Sequence, residues 1–260
     1  MAINLKNIRR THGLERKPMI VVHGTSGVGK TTFASNANNP IFIQTEAGQG
    51  LLEIDTFDLA TSFNHVTESL QALLTQDHDY KTCVIDSIDH LEPLIWEKTC
   101  VDNQWKNIEA PGYNKGYLAA ITIWRELMKT LATLGEKKDM TIILVAHSHI
   151  RKFEDPLHGS FDRYEMKLQA KAAALVAETC DCILFAKHKI NIRQEDKGFG
   201  QRRTKGISTG ERVLMAVETP HAVAKNRYNL PDEIPLDWAA FTGELTKSLQ
   251  PTTEEKTAHG

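Results

Sequence analysis

Lys30-Thr31-Thr32 closes a glycine-rich run, Gly24-Thr25-Ser26-Gly27-Val28-Gly29, in the spacing G-x-x-x-x-G-K-T. Glycines there let backbone N–H groups turn inward onto phosphate oxygens, and a helix start behind them adds its positive dipole end. A lysine placed like Lys30 reaches β- and γ-phosphates, and a hydroxyl placed like Thr31 ligates Mg²⁺. Two carboxylates could complete that chemistry. Asp86 ends the apolar run Cys83-Val84-Ile85 and is positioned to hold the Mg²⁺ shell together with Thr31. Glu46 follows Ile41-Phe42-Ile43-Gln44-Thr45, at the strand end where open α/β sheets gather ligand chemistry. Ser87, not a glutamate, follows Asp86, so a water-activating carboxylate must come from elsewhere, and Glu46 is the candidate. The cofactors expected are ATP and Mg²⁺.

Other residue groups carry weaker chemistry. Thr141-Ile142-Ile143-Leu144-Val145-Ala146 runs into His147-Ser148-His149, and His147 at that tip could sense the γ-phosphate. His147 and His149 are two apart on an extended segment and can share a face, but a zinc site needs a third ligand and none lies nearby in sequence. Two stretches mix cations with aromatics, as stacking platforms for single-stranded nucleic acid do. One surrounds Lys115, with Trp105, Lys106, Tyr113 and Tyr117. The other holds Arg151, Lys152, Phe153, Phe161, Arg163 and Tyr164. Lys187 to Lys205 is basic, with Lys187, Lys189, Arg193, Lys197, Arg202, Arg203 and Lys205 around Gly198-Phe199-Gly200, and reads as an exposed hairpin or polyanion contact.

These groups need a scaffold. Apolar runs at 19–23, 41–45, 80–85, 141–146, 182–186 and 212–217 predict strands. Helical spacing is found at 57–75, across 91–134 with a break at 109–117, and through Lys171 and Leu175. The pattern predicts an α/β fold with a mostly parallel central sheet and flanking helices. Residues 150–164 show neither period and are expected to form a long functional loop. The domain plan is an N-terminal arm (1–17), one core (18–245) and a flexible C-terminal tail (246–260).

Composition narrows the classes. The 31 Lys and Arg against 33 Asp and Glu leave a formal charge of -2 over 260 residues, so any polyanion site must be a local patch. Four cysteines fit neither a disulfide framework nor paired zinc motifs, and Cys83 and Cys182 sit in apolar runs as core residues would. No apolar run approaches transmembrane length, so a cytoplasmic protein with no membrane partner is expected.

Taken in order, the glycine-rich loop, Glu46, Asp86-Ser87, the polar-tipped strand and Lys225-Asn226-Arg227 resemble the RecA-like ATPases, and within them the compact phage-encoded single-strand annealing recombinases. The resemblance spans about residues 17–245. It implies that Glu46 activates water, that residues 150–164 and 109–117 stand where the two DNA loops lie, and that Lys225 and Arg227 reach a neighbouring subunit's triphosphate. His147 occupies the place of the family's coupling glutamine. An oligomeric ATPase, ring or filament, acting on single-stranded DNA beside a single-strand-binding protein in a bacterial host cytoplasm is the implied function. The alternative is an accessory P-loop NTPase that switches a protein partner or serves packaging without touching DNA.

Overall fold

The computed structural model describes residues 16–48, 50–155, 159–196 and 202–250. The segment up to residue 15, the segment from 251, Gly198-Phe199-Gly200 at the centre of the expected hairpin, and the side chains of the basic residues between 190 and 209 lie outside the described residues. The chain runs β1 (Met19–Gly24), α1 (Lys30–Ser35), β2 (Pro40–Gln44), β3 (Asp55–Thr56), α2 (Phe63–Thr75), β4 (Thr82–Asp86) and α3 (Ile88–Asn103). It continues with α4 (Lys115–Lys138), β5 (Thr141–Asp155), β6 (Gly159–Met166), α5 (Ala170–Thr179) and β7 (Cys182–Asp196). β8 (Arg202–Met215), β9 (Lys225–Asn226), β10 (Glu233–Pro235) and α6 (Trp238–Leu249) complete it.

The sheet order is β10-β8-β7-β1-β5-β4-β2-β3. From β7 to β3 neighbouring strands are parallel, whereas β8 and β10 join antiparallel at one edge. This is the expected α/β fold with a mostly parallel central sheet. Near-continuous apolar runs make the central strands, as burial on both faces requires. Alternation then divides each strand. Met19 and Val21 face α2 to α5, while Ile20 and Val22 face α1 and α6. No helix among the described residues is long and apolar enough to cross a membrane. Cys83 and Cys182 are buried, as their apolar surroundings predict.

Register decides what meets at the ligand end. Gln44 pairs with Asp86, Asp86 with Val145, His147 with Gly24, and Gly24 with Ala186. The strand ends therefore bring Asp86, His147 and the glycine-rich loop to one edge.

Two expectations need correction. Residues 150–164 are not an aperiodic loop. β5 continues past His147 to Asp155 and returns as β6, with Arg151 opposite Arg163 and Phe153 opposite Phe161. Alternating charge and aromatic residues hid a period of two. The tail boundary at 245 also falls inside α6, whose helix runs to Leu249 and buries Leu245. Smaller shifts follow the same rules: the helix expected from residue 57 starts at Phe63, where Ser62 caps it by accepting from the His65 N–H.

Candidate nucleotide site

The loop between β1 and α1 forms one wall of a cleft of about 490 Å³, lined by Ser26, Gly27, Gly29, Lys30, Thr31, Thr32, Glu46, Asp86 and His147 among others. Gly24 and Gly29 are required for different reasons. A Cβ on Gly24 would stand 2.4 Å from the Ala186 carbonyl oxygen of β7, so the β1–β7 pairing itself excludes a side chain. Gly29 has φ of +106°, a left-handed conformation that side-chain-bearing residues avoid. Arg212 of β8 fills the space beside it and donates to the Val28 carbonyl at 3.3 Å. Nothing in the sequence near Arg212 announced that contact, because the β7–β8 register creates it.

Lys30 is buried and donates to the Gly24 and Thr25 carbonyls at 3.2 and 3.0 Å. Burial lowers its ammonium pKa, and the charges of Asp86, Asp89 and Glu46 oppose that shift. Thr31 Oγ1 donates to Asp86 Oδ2 at 2.7 Å, joining the two residues expected to share the metal shell. Burial raises the Asp86 pKa despite that hydrogen bond, so the pocket favours a compensating cation at this carboxylate. These residues fit Mg-ATP. Lys30 is held over an open cleft, a hydroxyl and a buried carboxylate touch where an oxygen-ligated cation belongs, and Gly27 leaves open space in front. The Asp86–Ser87 peptide is cis.

Glu46 lies across the cleft with its side chain 26% exposed. Its Oε2 is 3.2 Å from His90 Nδ1, and its Oε1 is 3.9 Å from His147 Nδ1. Asp89 binds the His147 N–H at 2.9 Å and His147 Nδ1 at 3.1 Å. Burial pushes the Asp89 carboxyl up, but the His147 N–H and the charge of His147 outweigh it and hold the pKa below the usual range. Asp89 and His90 were missed by sequence reasoning. The available signal was two polar residues in the first helical turn after a strand ending at the ligand edge.

The other expected site residues separate. Arg151, Lys152 and Phe153 are exposed on the β5–β6 hairpin. Phe153 packs on Phe161 with ring centroids 5.4 Å apart. Arg163 is corrected from a free cation to a structural one: it is buried, ion-paired with Glu218 and stacked 5.1 Å from the Phe153 ring. Tyr164 is half-buried and stacks on Phe185 at 5.1 Å. Lys115 is exposed at the start of α4, while Tyr117 packs edge-on against Trp96. His149 stands outside the group that His147 forms with Glu46 and His90.

Lys225 and Arg227 are not brought to the glycine-rich loop of their own chain. Lys225 Nζ donates to the Ala177, Glu178 and Cys180 carbonyls at 2.6, 3.1 and 2.8 Å, satisfying the end of α5. Arg227 donates to the Glu178 carbonyl at 2.9 Å and pairs with Asp181, whose other oxygen accepts the Met19 N–H at 2.9 Å. This cluster sits at the beginning of β1, a strand length (roughly 17 Å) from the loop at its end.

A family model described as an AAA domain matches residues 16–228. None of the curated proteins compared with the chain matches it. Among solved structures, the crystal structure of the RadB recombinase is similar over 86% of this chain and 89% of its own, with 14% identity and a TM-score of 0.46. The match to the family model runs from Arg16, before β1, through the glycine-rich loop and Asp86 to Tyr228, and on that span the chain belongs to the AAA domain family.

Proposed function

We propose that the chain is a Mg-ATP-dependent hydrolase of the RecA-like type whose β5–β6 hairpin binds single-stranded DNA, serving annealing or recombination. One observation carries this reading. β5 is a continuous strand with His147 at the cleft beside Glu46 and, farther along, exposed Arg151, Lys152 and Phe153. A change in His147 at the cleft therefore bears directly on the strand that presents the hairpin.

Bound Mg-ATP supplies the scissile phosphoanhydride and a divalent charge. Lys30 turns its ammonium from the loop carbonyls toward the terminal phosphates. Thr31 and Asp86 hold the cation shell through their oxygens. Glu46 orients a water and accepts its proton, and His90 and Asp89 fix the groups around it. The hairpin contributes Arg151 and Lys152 for backbone phosphates and Phe153 for base stacking. In this mechanism Lys225 and Arg227 stay on α5 and Asp181. A role toward a neighbouring copy's triphosphate would require both to leave those partners.

A second reading has its own support. Exposed Glu154 and Asp162 sit among the hairpin cations, and Ile150 is 60% exposed, a mixture that also suits a protein partner. Steady-state ATP turnover with and without oligo-dT separates the two. Stimulation by DNA that Lys152→Ala or Phe153→Ala abolishes supports the first reading. Turnover indifferent to DNA at low salt supports the protein switch.

A further inference from the structure

Glu46, His90 and His147 come from three separate segments: the turn after β2, the first turn of α3 and the inner half of β5. Their ligating atoms all lie within 4.8 Å of one another. We propose that they form a site for a zinc-class divalent cation, distinct from the Mg²⁺ position at Thr31 and Asp86.

Geometry and donor chemistry both support this. Bonds of about 2.0–2.2 Å in a tetrahedron put neighbouring ligand atoms roughly 3.3–3.6 Å apart. Glu46 Oε2 stands 3.2 Å from His90 Nδ1 and Glu46 Oε1 stands 3.9 Å from His147 Nδ1, both close to that edge. Two imidazoles with one carboxylate suit zinc and its neighbours, whereas magnesium prefers oxygen alone. Asp89 Oδ2 lies 3.1 Å from His147 Nδ1 and 3.5 Å from His90 Nδ1, and Ser87 Oγ lies 2.8 Å from His90 Nδ1, so a bound cation takes over these same nitrogens while the buried Asp89 carboxylate adds negative charge beside it. Glu46 and His147 both line the nucleotide cleft, which leaves a fourth ligand position facing solvent or a phosphate oxygen.

The consequence rests on the reading of Glu46 as the group that activates water. A cation held by Glu46 takes its lone pairs, so the site acts as an off-switch: ATP stays bound while hydrolysis stops. Excess Mg²⁺ does not relieve the block, because it competes poorly for imidazole.

The test titrates Co²⁺ and Zn²⁺ into the full chain with excess Mg²⁺ and a non-hydrolysable ATP analogue. Calorimetry gives the stoichiometry, and the visible absorption of Co²⁺ reports tetrahedral nitrogen and oxygen ligation. The expected result is one saturable equivalent per chain, weakened at least ~10-fold in both His90→Gln and His147→Gln. Retained analogue binding and an unchanged melting temperature in His90→Gln show that this variant is folded. No saturable Co²⁺ or Zn²⁺ binding, or binding unchanged in both variants, overturns the site. Failure of the underlying reading looks different. If Zn²⁺ binds with the expected variant pattern but leaves turnover intact, the cation site stands and the off-switch falls with the assignment of Glu46.

Discussion

Thr31 and Asp86 touch at 2.7 Å while Glu46 stands opposite against His90, so the proposed function assigns cation binding and water activation to different carboxylates. That division predicts distinct defects. Lys30→Ala weakens nucleotide binding by roughly 10- to 100-fold, the size of a lost charge-assisted contact. Glu46→Gln keeps ATP affinity but lowers turnover by about 10²–10⁴-fold, the range of a lost general base. Equilibrium binding of a fluorescent ATP analogue and single-turnover hydrolysis separate the two effects. Two titrating groups away from the chemistry shape stability. Burial pushes the Glu92 carboxyl up to about 7, and burial holds the His23 imidazole down to about 4. Unfolded Glu92 ionises near 4.5, so the folded state holds the extra proton and stability falls as pH rises from about 4.5 to 7. His23 acts in the opposite sense, because the unfolded imidazole takes up its proton first and stability falls as pH drops from 6.5 toward 4. Glu92→Gln removes the first limb. Calorimetry should show it melting above wild type at pH 8, with the two matching at pH 4.5.

At the scale of elements, β5 joins cleft and surface, and α6 holds the cradle from behind. Phe33 of α1 lies 5.4 Å from Trp238 and 6.0 Å from Phe241, ring centre to ring centre. α1 has six residues and little stability of its own, so this aromatic cluster fixes Lys30 and Thr31. Phe241→Ala should cost about 3–5 kcal/mol in urea unfolding and weaken nucleotide binding as well. The hairpin makes a separable prediction. Lys152→Ala flattens the slope of log affinity for oligo-dT against log salt by about 0.7, whereas Phe153→Ala lowers affinity by ~1–3 kcal/mol without changing that slope. Salt titrations by fluorescence anisotropy read both. The elements were unevenly legible in the sequence. Buried parallel strands announce themselves as apolar runs, and glycines followed by Lys30 mark the cradle. The hairpin was hidden because both its strands carry charge, and apolar periodicity records burial rather than extension. Asp89 and His90 escaped because their importance lies in meeting Glu46 across the sheet, a contact between segments distant in the chain.

Across the whole molecule, the parallel order from β7 to β3 gathers one set of strand ends at the nucleotide cleft, and β5 carries that edge out to the hairpin. The opposite end of β1 is closed by Asp181, which accepts from Met19 and pairs with Arg227 and Arg16. Lys225 and Arg227, expected to reach a neighbouring subunit's triphosphate, within their own chain secure the end of α5 and the start of β1. The central claim is that nucleotide at the cleft and DNA at the hairpin act on one another through β5. Affinity for labelled oligo-dT, measured at low salt with a non-hydrolysable ATP analogue, with ADP and without nucleotide, tests it most directly. The account predicts binding tightened at least ~5-fold by the analogue, with that gain lost in His147→Ala. Equal affinity in all three states, or no DNA binding at low salt, would contradict it.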